Sequence, residues 1–304
     1  MIVTLEDSLF AASGLNPLLL LSIFRHGFEG RHIVLTDHPS PNKNPHFQAW
    51  LAGRDRHVRD FVTAALDRGL RAYSNATTVV KVRVADRKQS HWEGQPPSLS
   101  LDDAAFLMAL PLHVVLEDRL SDKHFLLCVL PRPKKEELQR AFARGWCRAE
   151  HGGGLGSMRR YIKSVAHEPA ERLRTWLLFD RDTEVSGEPS LQSRLVKTDC
   201  EKHSLPHHQL SRRSIENYLP PQAFDWWAAD KRGEAYEKRR QLVHEFKAMG
   251  PEKRHHLNLK DHFHKDDIAD LFREEDFPID PAWLNSDHQR TELDDIMKVL
   301  FERM

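Results

Sequence analysis

Two short stretches of this chain are almost wholly apolar, and each stops abruptly at acidic residues. The first is Leu112-His113-Val114-Val115-Leu116, followed by Glu117-Asp118; the second is Thr175-Trp176-Leu177-Leu178-Phe179, followed by Asp180-Arg181-Asp182. A continuous apolar run of this length, bounded by turn-forming residues, predicts a strand buried on both faces, as in a parallel sheet. Between them the rhythm changes to helical. A helix is expected over 122–130, capped by Ser121 and closed by Pro131 and Pro133, and another over 135–144. A strand over 146–150 and the glycine run Gly152-Gly153-Gly154-Leu155-Gly156 follow. A helix then places Met158, Tyr161, Ile162 and Val165 on one face. A helix over 191–202 and a short strand over 207–210 complete an alternating pattern, which predicts an α/β domain.

The first hundred residues read as a separate, smaller α/β section. A helical segment is expected over 15–24, a strand over 32–36, a Pro/Asn-rich loop over 39–45, a helix over 54–70 and a β-branched strand over 79–84. Gln95-Pro96-Pro97 then breaks the chain. Ser100, with Asp102 and Asp103 behind it, opens a helix that Pro111 ends, because a hydroxyl cap followed by acids suits the positive helix end. After Pro220-Pro221 the chain turns helical and charged. It finishes in a helix over 292–301 with Leu293, Ile296, Met297 and Leu300 at helical spacing. The expected division is 1–98, 99–220 and 221–304, the last packing on the middle section.

Composition narrows the function classes. With 304 residues and 40% apolar side chains the chain can fill real cores, and 45 basic residues balance 45 acidic ones, so a polyanion would have to be held by local basic patches. The three cysteines, Cys128, Cys147 and Cys200, form no close pair, which offers neither a disulfide framework nor a Cys-based zinc site. The apolar run over 15–24 is too short to cross a bilayer and is broken by Asn16 and Pro17. No signal peptide or membrane partner is therefore expected, and the protein is placed in the cytoplasm.

The chemistry lies in the acids that end the two buried strands. Parallel strands deliver the loops after their carboxyl ends to one edge of the sheet, so Glu117 and Asp180/Asp182 can meet despite their distance in sequence. Carboxylates are hard oxygen ligands, and an unpaired cluster of them calls for a cation such as Mg²⁺ or Mn²⁺. Either acidic triplet alone is also the composition of a solvated turn. The order of acid, glycine turn and second acid pair is what favours a site.

These residues resemble the TOPRIM fold, the metal-binding catalytic module of topoisomerases, primases and several nucleases. The matching segments are Leu112 through Asp118, Gly152 through Gly156, and Leu177 through Asp182. Downstream, Ser211-Arg212-Arg213-Ser214-Ile215-Glu216-Asn217-Tyr218-Leu219 is similar to the arginine-then-Ile-Glu-Asn-Tyr-Leu segment of OLD-like TOPRIM nucleases of bacterial phage defence. The resemblance implies a Rossmannoid α/β domain with a mostly parallel sheet, a small N-terminal α/β domain and a helical C-terminal extension. It implies an Mg²⁺- or Mn²⁺-dependent endonuclease, acting on DNA ahead of RNA such as tRNA, in which Glu117, Asp122, Asp180, Asp182 and Glu216 are metal ligands. Lys260, in Leu257-Asn258-Leu259-Lys260-Asp261, is the nearest match to the family's C-terminal catalytic lysine. The family pattern has glycine after the first glutamate and its next acid four residues on. This chain has Asp118 and then Asp122 five residues on, so either Asp118 or Asp122 fills that role. Glu216 reads either as a ligand or as the opening of a helix, with Asn217 satisfying a turn.

Arg159, Arg160, Arg212 and Arg213 are the basic residues expected to contact phosphates. The glycine run reads either as a backbone cradle for phosphate or as a tight turn needing positive φ; without G-x-x-x-x-G-K-[ST] or G-x-G-x-x-G, ATP and NAD are not expected. Nineteen histidines raise zinc, but no H-E-x-x-H is present and Pro206 separates His203 from His207. Other readings are a TOPRIM-fold scaffold that binds nucleic acid without cutting it, and a nucleotidyl transferase. A toxic nuclease needs restraint, so residues 1–98 are expected to engage a regulatory protein, such as a defence-system ATPase or sensor, and a homo-oligomer is a further expectation.

Overall fold

In the computed structural model, residues 1–304 are described except 13, 40–42, 184, 186, 230–231, 265–267 and 274–278, and the side chains of 281 and 286–288. The chain divides into two compact units. Unit 1 comprises Met1–Leu112, Glu168–Arg174 and Val299–Met304, and unit 2 comprises His113–His167 and Thr175–Lys298.

Unit 1 begins with β1 (Ile2–Leu5), which crosses through α1 (Pro17–Glu29) to β2 (Ile33–Thr36). Asn16 starts α1 by accepting hydrogen bonds from the Leu18 and Leu19 amides at 3.0 and 3.4 Å, with Pro17 at the first helical position, where no amide is needed. Next come α2 (Pro45–Ala52), α3 (Arg56–Tyr73), β3 (Lys81–Val84), β4 (Ser98–Leu99) and α4 (Leu101–Ala109). As expected, Ser100 caps α4, accepting from the Asp103 amide at 3.2 Å. The strands lie in the order β2-β1-β3-β4, all parallel. The register aligns Val3 with Val34 and Val82, and Leu5 with Val84, on one face. These side chains share a core with Leu20, Ile23 and Phe24 of α1 and Ala104, Leu107 and Met108 of α4.

Unit 2 repeats the architecture with β5 (Leu112–Leu116), α5 (Ser121–Val129), α6 (Arg132–Ala143), β6 (Cys147–His151) and α7 (Leu155–Val165). The short α8 (Pro169–Leu173) returns to unit 1, after which β7 (Thr175–Phe179), α9 (Leu191–Lys202) and β8 (His207–Gln209) follow. The sheet runs β6-β5-β7-β8 and is parallel. Every position of β7 is buried, and Val115, Leu177 and Phe179 form a core with Met158 and Ile162 of α7 and Val196 of α9. A 3₁₀ turn (Ile215–Tyr218) leads into the helices α10 (Pro221–Ala229), α11 (Glu234–Ala248), α12 (Pro251–His256), α13 (Leu259–Phe263) and α14 (Gln289–Arg303).

The fold class expected from the sequence, α/β with mostly parallel sheets, is therefore present in both units. Four elements were not expected: β1, α2, β4 and α8. The contact division also falls at Leu112, not at residue 98, because α4 shares the core of unit 1, and 299–304 group with unit 1 as well. Ser121, expected to cap α5, makes no cap; the turn before the helix is closed by Asp118, whose carboxylate accepts from the Leu120 amide at 2.8 Å. Among the described residues no helix is long and apolar enough to cross a membrane.

Candidate functional site

The β5–β7 register sets Leu116 beside Leu178, so the chain leaves both strands at the same edge of the sheet. Glu117 folds across this edge, and its Oε1 accepts a hydrogen bond from the Asp180 amide at 2.8 Å. Asp180 is held from behind: Ser193 Oγ donates to its carbonyl at 2.5 Å, and Gln209 Nε2 donates to Ser193 Oγ at 2.7 Å. Asp182 sits two residues on with φ 53, a left-handed conformation that aspartate tolerates better than most residues. Its amide donates to the Arg213 carbonyl at 2.8 Å, and the Arg213 amide donates to the His255 carbonyl at 2.9 Å, so three distant segments converge behind this turn.

The two candidates for the second acid separate cleanly. Asp118 is exposed and its carboxylate closes the turn, taking the Leu120 amide and the Ser121 hydroxyl at 2.8 and 3.4 Å. Asp122 is 6% exposed, accepts from the Asp118 amide at 3.2 Å, and feels the charges of Glu117 and Glu216. Asp122 belongs to the cluster and Asp118 shapes the loop around it.

Glu216 comes from the 3₁₀ turn and is 5% exposed, with Lys260 Nζ 3.2 Å from its Oε1. Its neighbour Asn217 explains the convergence. The Asn217 amide donates to the carbonyls of Arg254 and Leu257 at 2.8 and 3.0 Å, while its oxygen takes the Ser214 amide and hydroxyl at 3.1 and 3.0 Å. The turn bearing Glu216 is thereby tied to the segment that leads into α13 and Lys260.

Electrostatics mark these side chains as one group. Burial raises Glu117 to about 7; Asp182 and Glu216 add to the rise, against the Asp180 amide and Lys260. Burial also holds Asp122 and Asp180 well above the usual carboxylate range. The charges of Glu117 and Glu216 reinforce both shifts, and Asp122 adds to that of Asp180. Lys260 is affected in the opposite sense: burial works to lower it, but Glu216, Asp180 and Asp122 hold it above its ordinary value. Among the described residues, no group of three or more His, Cys, Asp or Glu side chains stands close enough together to hold a metal ion as placed. The donors are all carboxylate oxygens, the type that hard divalent cations select, and their mutual repulsion is what such a cation relieves. The donor chemistry fits Mg²⁺ or Mn²⁺, and the cage is not pre-closed.

The glycine run borders the same edge. The Gly152 amide donates to the Leu116 carbonyl at 2.5 Å and the Gly153 amide to the Glu117 carbonyl at 3.2 Å. A Cβ on Gly152 would lie 2.8 Å from the Leu116 oxygen and 2.6 Å from Met158 Cγ, so only glycine fits. Gly154, at φ 78, is the residue from which α7 departs. The tight turn expected at this position is present.

The basic residues expected to contact phosphates divide. Arg212 is 5% exposed; its Nη1 donates to the Asn217 carbonyl at 2.6 Å and its guanidinium lies 4.8 Å from the Tyr218 ring centre, so it braces the turn internally. Arg159 is paired with Asp199 at 2.8 Å. Arg160 is exposed, donating to Ser157 Oγ at 2.9 Å, and Arg213 is half-buried behind Asp182. His208 meets Glu292 at 3.0 Å. Sequence reasoning gave Arg181 no role. Arg181 stands between the two acids of its triplet, its Nε is buried without a hydrogen bond among the described residues, and its charge helps burial to lower His256. Its place inside Asp-Arg-Asp was the available signal. No family model, curated protein or solved structure matches the chain.

Proposed function

We propose that unit 2 is the catalytic domain of a TOPRIM-like, Mg²⁺- or Mn²⁺-dependent endonuclease acting on DNA in preference to RNA. The observation that carries this reading is the electrostatic coupling of Glu117, Asp122, Asp180, Asp182 and Glu216, drawn from four separate segments to one sheet edge beside Lys260. These five carboxylates would hold the cation, and when bound it supplies charge neutralisation at phosphate and a more acidic water. The chain's own residues do the rest. Glu117 braces the Asp180 amide and so fixes the distance between the two strand ends. Lys260 keeps its proton and sets positive charge beside Glu216, where an oxygen on phosphorus would gain from it. Arg160, exposed on α7, would follow a strand backbone. A nuclease of this kind is a toxic effector of phage defence in our reading, with unit 1 as the surface for a regulator.

The test mixes the full chain with plasmid, single-stranded DNA and tRNA in the presence of Mg²⁺, Mn²⁺ or chelator, beside Glu117→Gln. Cutting that requires the cation and disappears in the variant supports the reading; equal cutting by both proteins ends it. A second reading, a scaffold that binds nucleic acid without cutting, draws on the open ligand arrangement. Asp182→Asn separates the two: loss of metal-dependent cleavage with binding retained supports the nuclease, whereas binding with no cleavage by either protein supports the scaffold.

A further inference from the structure

The carboxyl-terminal halves of β1 and β2 face a cavity of about 500 Å³ inside unit 1, closed laterally by α2 and α3. Ligands of open parallel sheets collect at this end of the strands, and small-molecule sites range over roughly 300–1,000 Å³. Thr4 and Leu35 are partners in register and form the floor. The walls are apolar, with Phe47 and Leu51 from α2 and Leu66 and Leu70 from α3. Polar groups are spaced among them. Thr4 and Gln48 make no side-chain hydrogen bond among the described residues.

Charge decides the class of ligand. The residues lining the cavity include Asp37 and Asp67 but no lysine, arginine or histidine. Asp37 is fixed at the end of β2, accepting from Arg83 Nη2 on one oxygen and the Asp7 amide on the other, both at 3.1 Å. Each oxygen retains a second acceptor position for a hydroxyl or amino group. A phosphate or carboxylate entering here meets two carboxylates, and the cation beside them, Arg83, is already engaged by Asp37 and Glu6.

We propose that this cavity binds an uncharged nucleoside, its base between the apolar walls and its hydroxyl and amino groups on Asp37, Thr4 and Gln48. The proposal does not depend on the metal centre of unit 2. The experiment titrates the full chain by calorimetry with adenosine, guanosine, cytidine and uridine, with their 5′-monophosphates, and with indole as a flat probe lacking hydroxyls. At least one nucleoside is expected to saturate with Kd below about 1 mM and to bind roughly tenfold more tightly than its monophosphate and than indole. Thr63→Trp, at an exposed rim position, should abolish binding by filling the space; Gln48→Ala should weaken it several-fold while melting like the unsubstituted protein. Should Thr63→Trp fail to fold, Gln48→Ala decides. Failure of all four nucleosides to saturate, a monophosphate or indole binding as tightly, or binding unaltered in the folded variants overturns the proposal.

Discussion

Replacing Glu117 by glutamine should stabilise the metal-free protein above neutral pH, although it removes a central residue of the site. Glu117 is raised from 4.5 to about 7 in the folded state, chiefly by burial. A carboxyl group raised in this way contributes stability that is fully present below its unfolded value and lost as pH rises through the folded one. At about 1.4 kcal/mol per pH unit, ionising Glu117 inside the fold costs about 3 kcal/mol at about pH 8, and the rises at Asp122 and Asp180 act in the same direction. Glutamine keeps an oxygen for the Asp180 amide, so the 2.8 Å bond has a replacement acceptor. Urea denaturation with chelator present should show the unsubstituted protein losing stability between about pH 4.5 and pH 7, with Glu117→Gln ahead by about 3 kcal/mol above that window and near parity below it. Saturating Mg²⁺ should restore the unsubstituted protein and do much less for the variant, since binding to the folded state alone is what stabilises. A variant less stable at pH 8, or one that gains as much from Mg²⁺, would refute both the electrostatic argument and the assignment of Glu117 as a ligand.

Asn217→Ala should lower stability by about 2–3 kcal/mol in the same assay, because two carbonyls and a turn lose buried partners at once. Gly152→Ala should lower it by about 1–3 kcal/mol, since the new methyl meets a strand carbonyl at 2.8 Å, whereas Gly156→Ala, inside α7 with nothing within 4 Å, should raise it by about 0.5–1 kcal/mol. Lys260→Met should lower stability by about 1–3 kcal/mol at neutral pH, because Lys260 is half-exposed but its partner Glu216 is buried, yet leave a folded protein that has lost most metal-dependent cleavage in a plasmid assay. Loss of fold rather than of cleavage would make Lys260 a brace for Glu216.

Most of the sheet of unit 2 was legible because its strands carry their own boundaries. The runs over 112–116 and 175–179 are apolar, short and closed by acids, and the structure ends both strands where the acids begin. The same rule applied to Ile2-Val3-Thr4-Leu5 before Glu6-Asp7 would have found β1, the centre of the first sheet. Helix α2 was hidden by the Pro/Asn-rich loop that precedes it: its amino end is held from a distance, by the Asp7 carboxylate accepting from the Phe47 amide at 2.9 Å, which no local signal reports. The choice between Asp118 and Asp122 was equally tertiary. Both follow β5 in sequence, and only burial beside Glu117 and Glu216 distinguishes them.

The Arg-Arg-Ser-Ile-Glu-Asn-Tyr segment shows why a linear motif overstates the number of its working residues. Within it Glu216 is the residue whose charge acts on Glu117, Asp122 and Asp180. Arg212 braces the Asn217 carbonyl, Asn217 ties the turn to the segment before Lys260, and Tyr218 donates to Glu292 at 2.6 Å, anchoring the turn to α14. Burying a carboxylate at 5% exposure among like charges is unfavourable unless its backbone cannot retreat, and these three polar side chains remove the routes of retreat. The cation that would satisfy Glu216 therefore meets a site whose strain is already borne by hydrogen bonds, and substitutions at Arg212, Asn217 or Tyr218 should loosen the site without touching substrate.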